Sequence, residues 1–318
     1  MNKCVKKSED LIASSCETRE YALNIALKRN EEVNIYLDQV KSFKSVVSEH
    51  KDPEELINND KIKLDLCEIA GISKKVSKQW EQKDIELSLT QFFDGFLVPA
   101  GESFLEELIS RYLLRLGEGL KSRTQQLIDQ LLKEKLTKKI IEILTKKKLT
   151  FSCFNARSKS WVEGASFLPE TSKDVKAIKW DFENNSRMLY FGLKVPMTNK
   201  IEDVVIFNSS NINIKKMALF NGFIGNPYNY LTFGRLVGAE DPVGSALSWQ
   251  AANRDLSEVK SLFKEKTMDI STFFAGAFME AATAKEIYSL CESGKLDNCA
   301  NLTIVDQLTD ICDWLVCN

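Results

Sequence analysis

The sequence predicts an α+β fold with a helical N-terminal half, and three observations carry that prediction. Residues 8–50 spread Leu11, Tyr21, Ile25, Ile35, Leu37 and Val40 among charges, with no glycine or proline before Pro53. Leu105, Leu108, Ile109, Tyr112, Leu113 and Leu116 recur at helical spacing, forming one apolar stripe. After residue 150 the texture changes to short runs of strand formers punctuated by turn clusters. The 318 residues are 44 % apolar and 28 % charged, which is enough length and apolar content to bury a sizeable core.

Residues 51–98 hold shorter helical pieces, interrupted at Pro53 and Gly71. Val98-Pro99-Ala100-Gly101 is a break, and it suggests a division into a helical region, 1–97, and an α+β domain, 98–318. Ser103 and Glu106 follow at S-x-x-E spacing, the capping box that satisfies amide donors at a helix entrance. A second helical stretch, about 121–148, carries Lys133, Lys135, Lys138, Lys139, Lys146, Lys147 and Lys148 against Glu134 and Glu142. Such a run is either a solvated helix face or a phosphate-contacting surface. Strands are predicted at 150–154, 174–182, 187–195 and 204–207. Glu183-Asn184-Asn185-Ser186 turns the middle two into a hairpin. Stretches near 255–264, 271–293 and 302–316 read as helices.

Composition excludes several chemistries. The single histidine, His50, sits in a polar stretch that gives a catalytic imidazole nothing to hold it. The eight cysteines include no C-x-x-C pair and read as reduced thiols of a cytoplasmic protein, the other reading being a disulfide or metal cluster among the four near the C-terminus. No phosphate-cradling glycine motif and no H-x-E with C-x-x-C is found. The N-terminal residues do not read as a signal peptide, and no apolar run is long enough to span a membrane. The formal net charge of −2 leaves room for a local basic groove, because the field a ligand feels is local.

The hairpin is the informative part. Leu189, Phe191, Leu193 and Val195 alternate with Met188, Tyr190, Gly192 and Lys194, so period two places Gly192 and Lys194 on one face. Asp174 opens the partner strand. A carboxylate there suits a divalent cation, and a lysine at the far strand end suits an attacking water and a charged phosphorus centre. The downstream run Lys194-Val195-Pro196-Met197-Thr198-Asn199-Lys200 has the form K-x-P-x-x-N. Asn226-Pro227-Tyr228 and Phe273-Phe274-Ala275-Gly276 follow it.

On these residues the chain resembles the PD-(D/E)XK nuclease superfamily and, within it, type II restriction endonucleases. The resemblance covers about residues 98–290. It implies a mixed central sheet with flanking helices and sequence-specific, Mg²⁺-dependent cleavage of double-stranded DNA. It also implies a homodimer and a cognate DNA methyltransferase in the same genome. Carried over residue by residue, Asp174 is the aspartate, with Asp181 as its alternate, Lys194 the lysine, and Glu106 the glutamate of the preceding helix. The acidic residue of acidic-x-Lys is replaced by Gly192, so Glu202, Asp203 or Glu106 would supply that carboxylate, and the implied metal ligands are Asp174, Asp181 and Glu202. Lys133, Lys135, Lys138, Lys139, Lys146 and Lys147 of the basic helix, with Asn199, are the expected DNA contacts, and Asn208 to Asn229 a base-reading region.

Plainer readings stay open beside these. Lys194 is equally a strand-end lysine reaching water, Asp174 a turn cap, and Glu106 the capping-box partner. The whole chain is then a non-catalytic DNA-binding or protein-interaction protein on a decayed nuclease fold, or a helical scaffold.

Overall fold

Helical periodicity and the strand runs sort the chain into two compact units, residues 26–124 and residues 1–25 with 125–318. The computed structural model describes residues 1–183, 185–195, 200–208, 230–238, 242–265 and 268–317. Residue 97, where the sequence suggested a division, lies within the first of these units, and Leu97 is buried there beside Phe93, Phe104 and Leu108.

The 26–124 unit is helical. It contains most of α1 (Ser15–Val47), then α2 (Lys63–Ile69), α3 (Lys74–Ser77) and α4 (Gln82–Phe92), and the opening turns of α5 (Phe104–Lys146). Phe43, Val47, Leu66, Leu89 and Leu108 pack into one core, with the Phe43 and Tyr112 rings 4.3 Å apart. The helix predicted from the 105–116 stripe and that predicted at 121–148 are a single 43-residue helix, α5. Gly117 and Gly119 do not break it. Each costs a helix about 1 kcal/mol relative to alanine, which burial of Leu108 before them and Leu132 after them exceeds.

The other unit is built on one mixed sheet. Its strands are β1 (Phe151–Asn155), β2 (Ser160–Glu163), β3 (Val175–Phe182), β4 (Asn185–Val195), β5 (Lys200–Phe207), β6 (Tyr230–Val237), β7 (Ser271–Gly276) and β8 (Asn298–Asn301). They lie in the order β2-β1-β3-β4-β5-β6-β7-β8. Pairing is antiparallel as far as β6, then parallel through β7 and β8. The parallel strands need crossovers, which α6 (Pro242–Glu265) and α7 (Ala281–Glu292) supply; α8 (Val305–Cys317) closes the chain. One apolar layer joins Val205, Phe233 and Phe274 to α6 and α7. The other joins Ile178, Val204 and Phe273 to the second half of α5 and to α8.

Three sequence expectations change here. Ser271–Gly276 is a strand, not the start of a helix. As a parallel strand buried on both faces it shows a continuous apolar run instead of alternation. β2, β6 and β8 had no strand signature strong enough to be read. In the hairpin, period two fails at Gly192, whose φ of 64° lies in the left-handed region. The ladder steps from Phe191–Val204 to Leu193–Glu202, and Phe191 and Leu193 therefore enter opposite apolar layers.

Candidate active site

A cleft of about 670 Å³ opens where α5, β3, β4, β5, β6 and α6 meet. Pairing between β5 and β6 ends at Val204–Gly234. Past that point Asp203 inserts its carboxylate, and the Leu236 amide donates to its Oδ2 at 2.8 Å. Arg235 Nη1 lies 3.6 Å from Asp203 Oδ1, donates to the Ile201 carbonyl at 2.7 Å, and its Nη2 donates to Asp255 Oδ2 at 3.1 Å. Lys200 also donates to Asp255, at 2.7 Å, and pairs with Glu258. Burial raises the proton affinity of Asp203, while Arg235 and the Leu236 amide oppose that rise.

The opposite wall comes from α5. Asp129 faces the cleft within electrostatic reach of Asp203 and Arg235, and Gln125 Nε2 orients it at 3.0 Å while also donating to the Gly238 carbonyl. Lys133, one helical turn on, points the same way, its Nζ 5.1 Å from the Phe191 ring centroid. Burial, then the charge of Lys176, lowers Lys133 from 10.5 to about 8, with Asp174 opposing. Lys176 of β3 donates to the Gly192 carbonyl at 3.3 Å. A Cβ on Gly192 would stand 3.1 Å from that same Nζ, so glycine here serves both the left-handed backbone and the approach of Lys176. The cleft lining thus carries Lys133, Lys173, Lys176 and Arg235 against Asp129 and Asp203: four cations to two carboxylates on a chain of net charge −2.

The residues singled out in the sequence fall as follows. Asp174 ends the 3-10 turn before β3 and pairs with Arg157 at 3.6 Å; Lys194, opposite Ile201 in the ladder, makes no ion pair with a described carboxylate. No ion pair joins these two among the described residues. Asp181 accepts the Ser186 hydroxyl at 2.7 Å beside the hairpin turn. Glu106 belongs to the 26–124 unit. Glu202 is fully buried, both carboxylate oxygens lacking a hydrogen-bond partner among the described residues, and burial lifts it to about 7. Lys138, Lys139 and Lys147 are held by Glu134, Glu142 and Asp313, at 2.7, 2.7 and 3.0 Å. Lys135 is half-buried and desolvation lowers its proton affinity; Lys146 is exposed. Asn199, Asn226-Pro227-Tyr228 and most of Asn208–Asn229 lie outside the described residues.

Asp129, Lys176 and Arg235 were missed. Arg235 had a signal: it is the one charge in the apolar run Tyr230–Val237. Asp129 and Lys176 had none, since each is an ordinary charge at an ordinary period on its own element.

Among the described residues no three His, Cys, Asp or Glu side chains converge as a metal cage, and no helix is long and apolar enough to cross a membrane. A family model described as restriction endonuclease BsobI matches residues 1–318. The chain is 28 % identical over 312 residues to the type II restriction enzyme AvaI of Nostoc sp. strain PCC 7120, covering 98 % of each chain. The same identity and coverage hold for AvaI of Anabaena variabilis. Against the type II restriction enzyme BsoBI of Geobacillus stearothermophilus it is 30 % identical over 315 residues, covering 98 % of this chain and 96 % of that one.

Proposed function

The chain belongs to the BsobI restriction endonuclease family, and from that premise we propose that it cleaves double-stranded DNA sequence-specifically at the cleft around Asp203. One observation carries the placement: the basic cleft surrounds two carboxylates, Asp129 and Asp203, where β5 and β6 part. Phosphates need cations in an enclosed setting, and Lys173, Lys176 and Arg235 provide them.

The donor set fits Mg²⁺, which is commonly held by one or two carboxylates together with water and substrate phosphate instead of an all-protein cage. Asp129 and Asp203 would hold it, with Arg235 offsetting their charge in its absence. Once bound, the ion supplies charge stabilisation to the phosphoryl oxygens. The chain's own groups do the remainder. Arg235 and the Leu236 amide fix Asp203, Gln125 fixes Asp129, and the lysines hold the backbone phosphate in register. Recognition of a two-fold duplex site would be met by a homodimer, and the host's own DNA would be protected in the cytoplasm by a cognate methyltransferase.

The test is incubation of the purified protein with phage DNA and Mg²⁺. Discrete fragments are expected, lost in Asp203→Asn and retained in Asp174→Ala. The reverse outcome, loss with Asp174→Ala and not with Asp203→Asn, would move the active site to the hairpin end. Absence of fragments from the unaltered chain would support the decayed-nuclease reading.

A further inference from the structure

Arg235 is held from three sides. Its Nη1 donates to the Ile201 carbonyl of β5 at 2.7 Å, its Nη2 donates to Asp255 of α6 at 3.1 Å, and Asp203 Oδ1 stands 3.6 Å from Nη1. The first two are hydrogen bonds and the third is a looser ion pair, so the guanidinium is anchored to Ile201 and Asp255 and only faces Asp203. Its side chain is 19 % exposed against 35 % for Asp203, which makes the carboxylate the more open partner. Asp255 also receives Lys200 at 2.7 Å, so it divides its charge between two cations. Part of the Arg235 charge is therefore left to Asp203 and the cleft.

We propose that Arg235 is the resident cation of this cleft: it admits DNA backbone phosphate beside Asp203 without a divalent ion, and an ion seated on Asp203 shares that carboxylate with it. The inference rests on the nuclease reading above and adds a binding property to it.

The electrostatics follow from the contacts. Carboxylates that face a phosphate repel it, and a divalent ion between them is one remedy. Here β6 carries a remedy of its own. Of the four cations lining the cleft, Arg235 alone forms an ion pair with a lining carboxylate among the described residues. A guanidinium stays charged when enclosed and is weakly hydrated, so it keeps this role where a lysine amine would lose its proton. It also has donors to spare. Two of its N–H groups go to Ile201 and Asp255, out of the five a guanidinium carries. Its backbone is fixed as well: β6 pairs with β5 as far as Gly234 and with β7 beyond it, Arg235 lying opposite Phe274. The same charge opposes an ion on Asp203, because two cations beside one carboxylate repel each other.

The experiment uses the full chain and reads binding instead of cleavage. A short labelled duplex of phage DNA is titrated with protein in EDTA and in Ca²⁺, and Mn²⁺ binding without DNA is followed by electron paramagnetic resonance. The unaltered protein should bind the duplex in EDTA within about threefold of its affinity in Ca²⁺. Arg235→Gln keeps side-chain N–H donors and loses the charge. It should bind the duplex about tenfold or more weakly in EDTA, regain most of that loss in Ca²⁺, and bind Mn²⁺ about tenfold or more tightly than the unaltered protein. Asp203→Asn is the second variant, decisive where Arg235→Gln does not fold. It should change binding in EDTA by less than about threefold, because the charge it removes is already offset. Four results would overturn this inference and leave the nuclease reading standing. They are an unaltered protein that binds the duplex only in Ca²⁺, an Arg235→Gln protein whose binding is unchanged in EDTA or lost equally in both buffers, Mn²⁺ affinity unmoved by Arg235→Gln, and a gain of about tenfold in EDTA on Asp203→Asn. A chain that binds no DNA in either buffer overturns both.

Discussion

Glu202 offers the sharpest stability test. Its side chain is 0 % exposed on β5, its oxygens meet no hydrogen-bond donor among the described residues, and burial lifts its carboxyl from 4.5 to about 7. Arg235 and Lys200 pull it down, while Asp203 and Asp255 push it up. The native state therefore holds a proton that the unfolded chain has released between those two values. Stability present below pH 4.5 is lost as pH rises towards 7. The rise from 4.5 to about 7 corresponds to about 3 kcal/mol, at about 1.36 kcal/mol for each tenfold change in proton affinity. Glu202→Gln removes the charge at nearly constant shape, so it should match the unaltered protein at pH 4.5 and exceed it by about 3 kcal/mol at pH 8. Urea unfolding at several pH values, followed by tryptophan fluorescence, measures this in the right unit, because Trp161, Trp180, Trp249 and Trp314 all belong to the sheet unit. A stability difference that does not vary with pH, or a variant weaker at pH 8, would refute the buried, unpartnered placement of this carboxylate.

Other substitutions probe the cleft and its scaffold. Asp203→Asn keeps an acceptor for the Leu236 amide but removes the charge, so single-turnover cleavage should fall about 100-fold or more, equivalent to about 2.7 kcal/mol, while DNA binding in Ca²⁺ persists. Lys176→Ala should weaken binding to all sequences alike and lower the slope of log affinity against log salt by about 0.9, read from filter binding between low and moderate salt. Gly234→Ala would set its Cβ 1.9 Å from the Phe273 ring, so unfolding should be easier by about 1–3 kcal/mol, visible as a lower melting temperature with the cleft chemistry intact.

The helical half was legible because its information is local. The Leu105–Leu116 stripe and the proline-free run before Pro53 each point a continuous apolar face at a core, wherever that core turns out to lie. The β3–β4 hairpin was legible for the same reason, with a turn cluster between two runs of strand formers. β7 and β8 were not, since a strand buried on both faces loses its alternation and its partners lie on other segments. The candidate site was harder still. Lys194 and Asp174 looked paired because period two was extended through Gly192, where a single left-handed residue turns the strand. Asp129, Lys133, Lys176, Asp203 and Arg235 come from four elements that no spacing connects.

The sequence by itself therefore determined the helical half and the β3–β4 hairpin, and that a lysine-rich helix and a carboxylate-bearing strand exist. Only the tertiary structure decided which of those charges face one another. The parting of β5 from β6 beyond Val204 admits the Asp203 carboxylate, and the packing of α5 over the sheet brings Asp129 within its electrostatic reach. Charges act through space and a sequence orders them along a chain, so the meeting of these groups had to wait for the fold.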